Sequence, residues 1–344
     1  MIKKSFRLLL AAVMIFSFTL SAYAIDKNYH WRFVTEELEG QIQYEYAKEF
    51  AKRVNEKSDG KITIDVYEFG GLGSEVDQVE QLQNGLVQLA IVSPGFTGTM
   101  VKEGQLFSLH FLFPDDLAKT HKILNESEAL NKDLAAKYEK YGLKPIAFWL
   151  EGATQWTSND VKLESPDDFK NFKMRTQTSP LIIKSYEAYG ADPTPMSWGE
   201  LYTALDRGTV QGQENPLFFI EDASFHEVSE YLTLSRHNIY VAMTVVNPYW
   251  YNNLPEEVRT IVDETVVELR PWVFEEQKKL NERGLEKIKN YTKNPTEIIT
   301  LTEEQRDAFR KKALPVRDYY RNKVSTVNGE ILDKLIKEIE TITN

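Results

Sequence analysis

Arg175, Asn215 and Trp198 are the residues of this chain best suited to holding a small molecule. Arg175 closes the short run Phe172-Lys-Met-Arg175, Asn215 lies in Gln211-Gly-Gln-Glu-Asn215-Pro216, and Trp198 lies in Pro193-Thr-Pro-Met-Ser-Trp198-Gly-Glu. A planar guanidinium matches the edge of a carboxylate or sulfonate through two parallel N–H bonds. A side-chain amide offers both a donor and an acceptor. An indole wall adds apolar burial and one N–H. Together they hold an organic anion without reacting with it. Each also has a plainer reading: a surface ion pair for Arg175, an Asx-type turn for Asn215 before Pro216, and a core position at a helix start for Trp198.

Five more residues stand where a cleft would be lined. Glu36, beside Glu37 after the first strand, accepts a ligand hydroxyl or ammonium, or caps the next helix, where acids are common. Glu75, after the turn Gly70-Gly-Leu-Gly73, has the same two readings. Ser93 ends the third strand. Gln155 and Trp156, in the segment Glu151–Asn159, offer neutral contacts. No cofactor and no metal is expected. The glycine turn lacks the Lys-Ser/Thr of a phosphate loop and the dinucleotide spacing. The five His residues show no metal-ligand spacing, the chain has no Cys, and no Gly-x-Ser-x-Gly elbow occurs. Glu36 and Glu214 are the pair a secreted acid–base enzyme would use, yet no nucleophile accompanies them.

The elements that must position these groups follow from the hydrophobic pattern. Trp31–Val34, Lys61–Tyr67 and Leu89–Val92 read as strands, with helices over Gln41–Asn55 and Glu75–Asn84 between them. Lys144–Leu150 is the next strand. The rhythm then restarts, with strands at Phe172–Arg175, Val210–Gln213 and Tyr240–Asn247 and helices at Pro180–Tyr189 and Trp198–Asp206. An α/β protein of two similar lobes follows. Pro255–Tyr291 reads as a long helical stretch broken near Pro271, and two amphipathic helices close the chain.

The N-terminus reads as an export signal. Lys3, Lys4 and Arg7 precede an apolar run, Leu8–Leu20, and Ala22-Tyr23-Ala24 gives the small-x-small cleavage pattern. Cleavage after Ala24 removes those three cations and takes the formal charge from −11 to −14. An acidic surface argues against nucleic acid and anionic lipid as partners. It also repels an anionic ligand, so a basic group in a cleft matters more. With no Cys, the fold depends on its core alone. About 320 residues suffice for two lobes.

The stretch Gly190-Ala-Asp-Pro-Thr-Pro-Met-Ser-Trp-Gly-Glu-Leu-Tyr-Thr-Ala-Leu205, followed by Gly208-Thr-Val-Gln-Gly-Gln-Glu-Asn-Pro-Leu217, resembles the extracytoplasmic solute-binding subunits of TRAP transporters. That family includes dicarboxylate- and sialic acid-binding proteins. The resemblance implies a hinged two-lobed periplasmic binding fold, with residues 25–151 and 241–280 in one lobe and 152–240 and 281–344 in the other. A long helix would run across both. It implies a periplasmic monomer that captures a small organic anion and delivers it to the membrane subunits of an ion-driven permease, or presents it to a signalling receptor. Gln211 stands where the family has Asp. Thr154 stands where several relatives carry a second Arg, which argues against a two-arginine clamp.

Overall fold

The computed structural model describes Ile25 and residues 27–343; the expected signal segment, residues 1–24, lies outside the described residues. Eleven strands are present among them. In chain order they are β1 (Tyr29–Val34), β2 (Ile62–Tyr67), β3 (Leu89–Val92), β4 (Lys144–Ala153), β5 (Gln155–Ser158) and β6 (Lys173–Thr176). β7 (Asp192–Pro195), β8 (Gly212–Asn215), β9 (Tyr231–Leu234), β10 (Ile239–Val246) and β11 (Glu297–Thr300) complete the set.

They form two sheets, ordered β2-β1-β3-β10-β4 and β11-β9-β5-β8-β6-β7. In the first, β1 runs parallel to β2 and β3, while β10 is antiparallel to β3 and β4. β3 is buried along its whole length between β1 and β10, which explains its unbroken apolar run. The helix Ile42–Lys57 covers this sheet with Ile42, Tyr46, Phe50 and Val54, one stripe at four-residue spacing. The chain passes between the sheets at Thr154 and again between β9 and β10. The helix Glu256–Asn290 makes the third passage. Its first half packs with the core under β1 and β3, and Ile288 packs with the core around Leu205, Val210 and Leu232.

That helix is continuous for 35 residues, so the break expected near Pro271 does not occur. Proline removes the hydrogen bond to the carbonyl four residues earlier. Here that residue, Val267, is 54% exposed, and Pro271 is exposed on the same face. Water can satisfy the freed carbonyl while the buried stripe holds the axis. Gly284 allows the same helix to approach the backbone of Leu217 and Phe218. A Cβ there would lie 2.9 Å from Leu217 O and Phe218 Cα. Gly284→Ala is therefore expected to cost about 1–3 kcal/mol by overpacking, despite alanine's better helix propensity. Urea unfolding checks this.

The C-terminal helix, Glu330–Thr343, does not stay with the second sheet. Ile331, Leu332 and Leu335 join the core that contains Leu124, Leu130 and Leu134. Lys334 pairs with Asp133 at 2.7 Å and Glu128 at 3.1 Å, and Glu338 accepts from Ser127. The assignment of residues 281–344 to the second lobe is corrected for this helix. Its apolar face was legible, but the surface it covers is set by the chain's return path.

Candidate functional site

The C-terminal ends of β1, β3, β6 and β8 converge between the two sheets, where α/β clefts form. A cleft lies there, lined by Ser93, Arg175, Gln177, Asn215 and Tyr240 among others. The strand expected at Val210–Gln213 in fact runs Gly212–Asn215, which carries Asn215 to the strand's end.

Arg175 is 3% exposed. Its Nη2 donates to Met196 O at 2.9 Å, and its Nε has no partner. Burial lowers its pKa to about 10, against the pull of Tyr240, Glu214, Glu75 and Glu200. The group is charged at neutral pH and only partly satisfied. It therefore offers N–H donors to an anion. Asn215 lies beside it, its Nδ2 donating to Gln213 Oε1 at 2.5 Å.

Three buried acids lie behind the cleft on the side of Ser93. Ser93 N donates to Glu36 Oε2 at 3.0 Å, so the first-strand carboxyl is fixed to a residue of the cleft. Gln43 ties the neighbouring acids together: its N donates to Glu37 Oε2 at 2.7 Å and its Nε2 to Glu151 Oε1 at 2.8 Å. Glu36 Oε1, Glu37 Oε1 and Glu151 Oε2 are buried without partners. Burial pushes all three carboxyls upward; Glu75 adds to the rise of Glu36, and Glu37 is raised further by Glu151. Tyr240, between this cluster and the cleft, is raised well above its ordinary value by burial and by Glu151 and Glu36.

Among the expected residues, Ser93, Arg175 and Asn215 line one cleft. Glu36 backs it through Ser93, and Glu75 is buried within the electrostatic reach of both Glu36 and Arg175. Trp198 stands one ring away. It packs edge-on against Phe219 at 4.7 Å, and Phe219 lies 6.0 Å from Tyr240.

Gln155 and Trp156 are not among the residues lining the cleft. Gln155 fastens the crossing segments, accepting from Arg236 N and donating to Ala153 O, each at 3.1 Å. Trp156 is fully buried among Phe169, Phe309 and His237. Alternation along β5 places it on the face covered by the helix Glu303–Tyr319.

The sequence reading missed Gln177, Tyr240 and Glu151. Gln177 follows β6 by one residue, and that position was its only signal. It reaches across the cleft, donating to Tyr240 Oη at 3.1 Å and Ser93 Oγ at 3.4 Å. A Cβ on Gly95 would meet Gln177 Oε1 at 1.8 Å. Gly95→Ala is expected to push this bridge aside and weaken ligand binding about tenfold, roughly 1.4 kcal/mol. The ligand-free melting temperature should stay unchanged. Paired calorimetry and thermal melts check both.

The structure adds a group that sequence spacing does not show. His110, Glu214 and His237 come together, with ligand atoms all within 4.8 Å of one another. They lie too far apart in the sequence for spacing to reveal them.

Comparison with known proteins shows the family and the fold. The family model for bacterial extracellular solute-binding protein, family 7, matches residues 33–323. The ectoine-binding periplasmic protein TeaA of Halomonas elongata is 36% identical over 94% of this chain and 93% of its own length. The ectoine/5-hydroxyectoine-binding periplasmic protein UehA of Ruegeria pomeroyi is 31% identical over 91% of each chain. The solved structure of the periplasmic ectoine-binding protein of the Halomonas elongata TeaABC TRAP transporter superposes with a TM-score of 0.87. It covers 91% of this chain and 99% of its own, at 36% identity.

Proposed function

The chain belongs to family 7 of the bacterial extracellular solute-binding proteins, and from that premise we propose that it captures a small zwitterion of the ectoine type. Members of this family bind small organic solutes and work with membrane permease subunits of TRAP transporters. The observation that carries the finer reading is the separation of charge at the cleft. Arg175 and Asn215 line the cleft, while the buried acids Glu36, Glu37 and Glu151 lie behind it, Glu36 being held to the lining residue Ser93. A ligand carboxylate meets the Arg175 fork. A delocalised cation at the other end lies toward Glu36 and the face of Tyr240.

A plain dicarboxylate fits this arrangement poorly. Its second charge would face three acids, and like charges in a low-dielectric cleft repel strongly. The sequence reading of an organic acid anion is thereby narrowed: the acid group remains, joined to a cation. Closure of the two lobes over the ligand, a periplasmic location after cleavage at Ala24, and a monomeric state belong to the same proposal. The export-type N-terminus and the periplasmic relatives support it.

Calorimetry on residues 25–344 tests the ligand. Ectoine is expected to bind one per chain and at least 100-fold more tightly than succinate. Succinate binding as tightly as ectoine, or ectoine giving no heat and no thermal shift, would overturn the zwitterion reading.

A further inference from the structure

We propose that His110, Glu214 and His237 form a buried site for one transition-metal dication of the zinc class, reached from the ligand cleft through Glu214. The three residues come from three segments. His110 follows the turn at Lys102–Ser108, Glu214 is on β8, and His237 is in the crossing between β9 and β10. Two imidazoles and one carboxylate form a donor set that suits zinc, copper or nickel, whereas calcium and magnesium prefer oxygen alone.

Both histidines are oriented as ligands usually are, with the far ring nitrogen held by a hydroxyl. His110 Nδ1 lies 2.8 Å from Tyr189 Oη, and His237 Nδ1 lies 2.7 Å from Ser235 Oγ. Each Nε2 is then left to face the centre of the cluster. His110 Nε2 is buried and has no hydrogen-bond partner among the described residues. A polar atom in that state costs free energy unless something binds it.

His237 Nε2 has three neighbours: Glu214 Oε2 at 2.5 Å, Tyr186 Oη at 3.0 Å and Trp156 Nε1 at 3.1 Å. A metal ion must take the lone pair toward which the Trp156 N–H points. That N–H has another acceptor in place, Tyr186 Oη at 3.0 Å. The imidazole proton that His237 Nε2 shares with Glu214 shifts to Nδ1, where Ser235 Oγ accepts it, as the metal enters. The ion then bridges the two groups in its stead. The wall is otherwise rigid: His237 stacks on Trp156 at 4.4 Å, and His110 stands edge-on to His237 at 4.6 Å. Access is through the cleft, because Glu214 is among its lining residues beside Arg175 and Asn215. A dication there ties the crossing segment to the second sheet. It also adds positive potential behind the Arg175 wall.

The test uses residues 25–344 after treatment with a chelator and dialysis. Cobalt(II) is titrated and followed by visible absorption; zinc(II) is titrated calorimetrically. The expected result is one ion per chain and ligand-field bands of low-coordinate cobalt that zinc abolishes. His110→Gln should weaken zinc binding at least 100-fold, and His121→Gln should leave it unchanged. Absence of one-to-one uptake by the wild-type protein would overturn the proposal. So would retention of full affinity in His110→Gln. If His110→Gln fails to fold, the wild-type cobalt spectrum decides: bands support the site and a featureless spectrum refutes it. Ectoine binding enters none of these readouts, so they stand apart from the ligand assignment.

Discussion

Replacing Arg175 with alanine is expected to weaken ectoine binding by about 3–4 kcal/mol, roughly 10²–10³-fold, and to leave the ligand-free protein no less stable. The two halves of this expectation have one cause. Arg175 is 3% exposed, makes one hydrogen bond, to Met196 O, and leaves its Nε unpaired. In the free protein it is a desolvated charge with little compensation, and such a charge opposes folding. In the complex it is the partner of the ligand carboxylate, and deleting one side of a buried pair strands the other. Arg175→Lys keeps the charge but loses the two-pronged geometry, so its affinity should fall between wild type and alanine. Calorimetry gives the affinities and thermal melts without ligand give the stabilities. A variant that loses stability and keeps its affinity would show Arg175 to be a structural ion.

How far the sequence foretold this site depends on which physical cue each residue carries. Arg175, Asn215 and Ser93 were legible because each sits at the end of a strand, and clefts in α/β proteins open there. Gln155 and Trp156 open β5 at the same sheet edge, paired with Asn215 and Glu214, yet the cleft takes neither. Which of two alternating faces is wet depends on the layer packed on the other side. That layer is the helix Glu303–Tyr319, well over a hundred residues downstream.

Glu151 gave no cue at all. It lies within a strand of apolar residues, and its partner Gln43 is on a distant helix. The same distance in sequence hid the His110–Glu214–His237 cluster. The first sheet was readable because its helices and strands alternate locally, each with its own period. The course of the C-terminal helix was not, because an amphipathic face specifies burial without naming the surface that supplies it.

Affinity for the zwitterion is expected to rise with pH between the ordinary carboxylate range near 4.5 and about 7. The window is that of Glu151, raised by burial to about 7; Glu36 and Glu37 are raised by burial as well. A carboxyl whose folded pKa is raised binds protons more tightly in the folded state than in the unfolded one. The ligand-free protein is therefore most stable below about 4.5 with respect to these groups, and loses that contribution as pH climbs through their folded values. A bound cation reverses the balance. It favours the ionised acids, pulls their pKa values down and releases protons on binding.

Affinity then gains roughly tenfold per pH unit for each proton released. The charged groups that line the cleft do not titrate in this window: Glu214 is held at about 2 and Arg175 at about 10. Tyr240 is raised away from it. His110 is lowered to about 3 and His237 is lowered by burial. Glu151→Gln removes a titrating member of the cluster and should flatten the profile while keeping the Gln43 contact. Calorimetry in buffers of different ionisation enthalpy counts the protons directly. A profile that is flat, or that falls as pH rises, would mean that the acidic cluster does not receive the ligand's positive end.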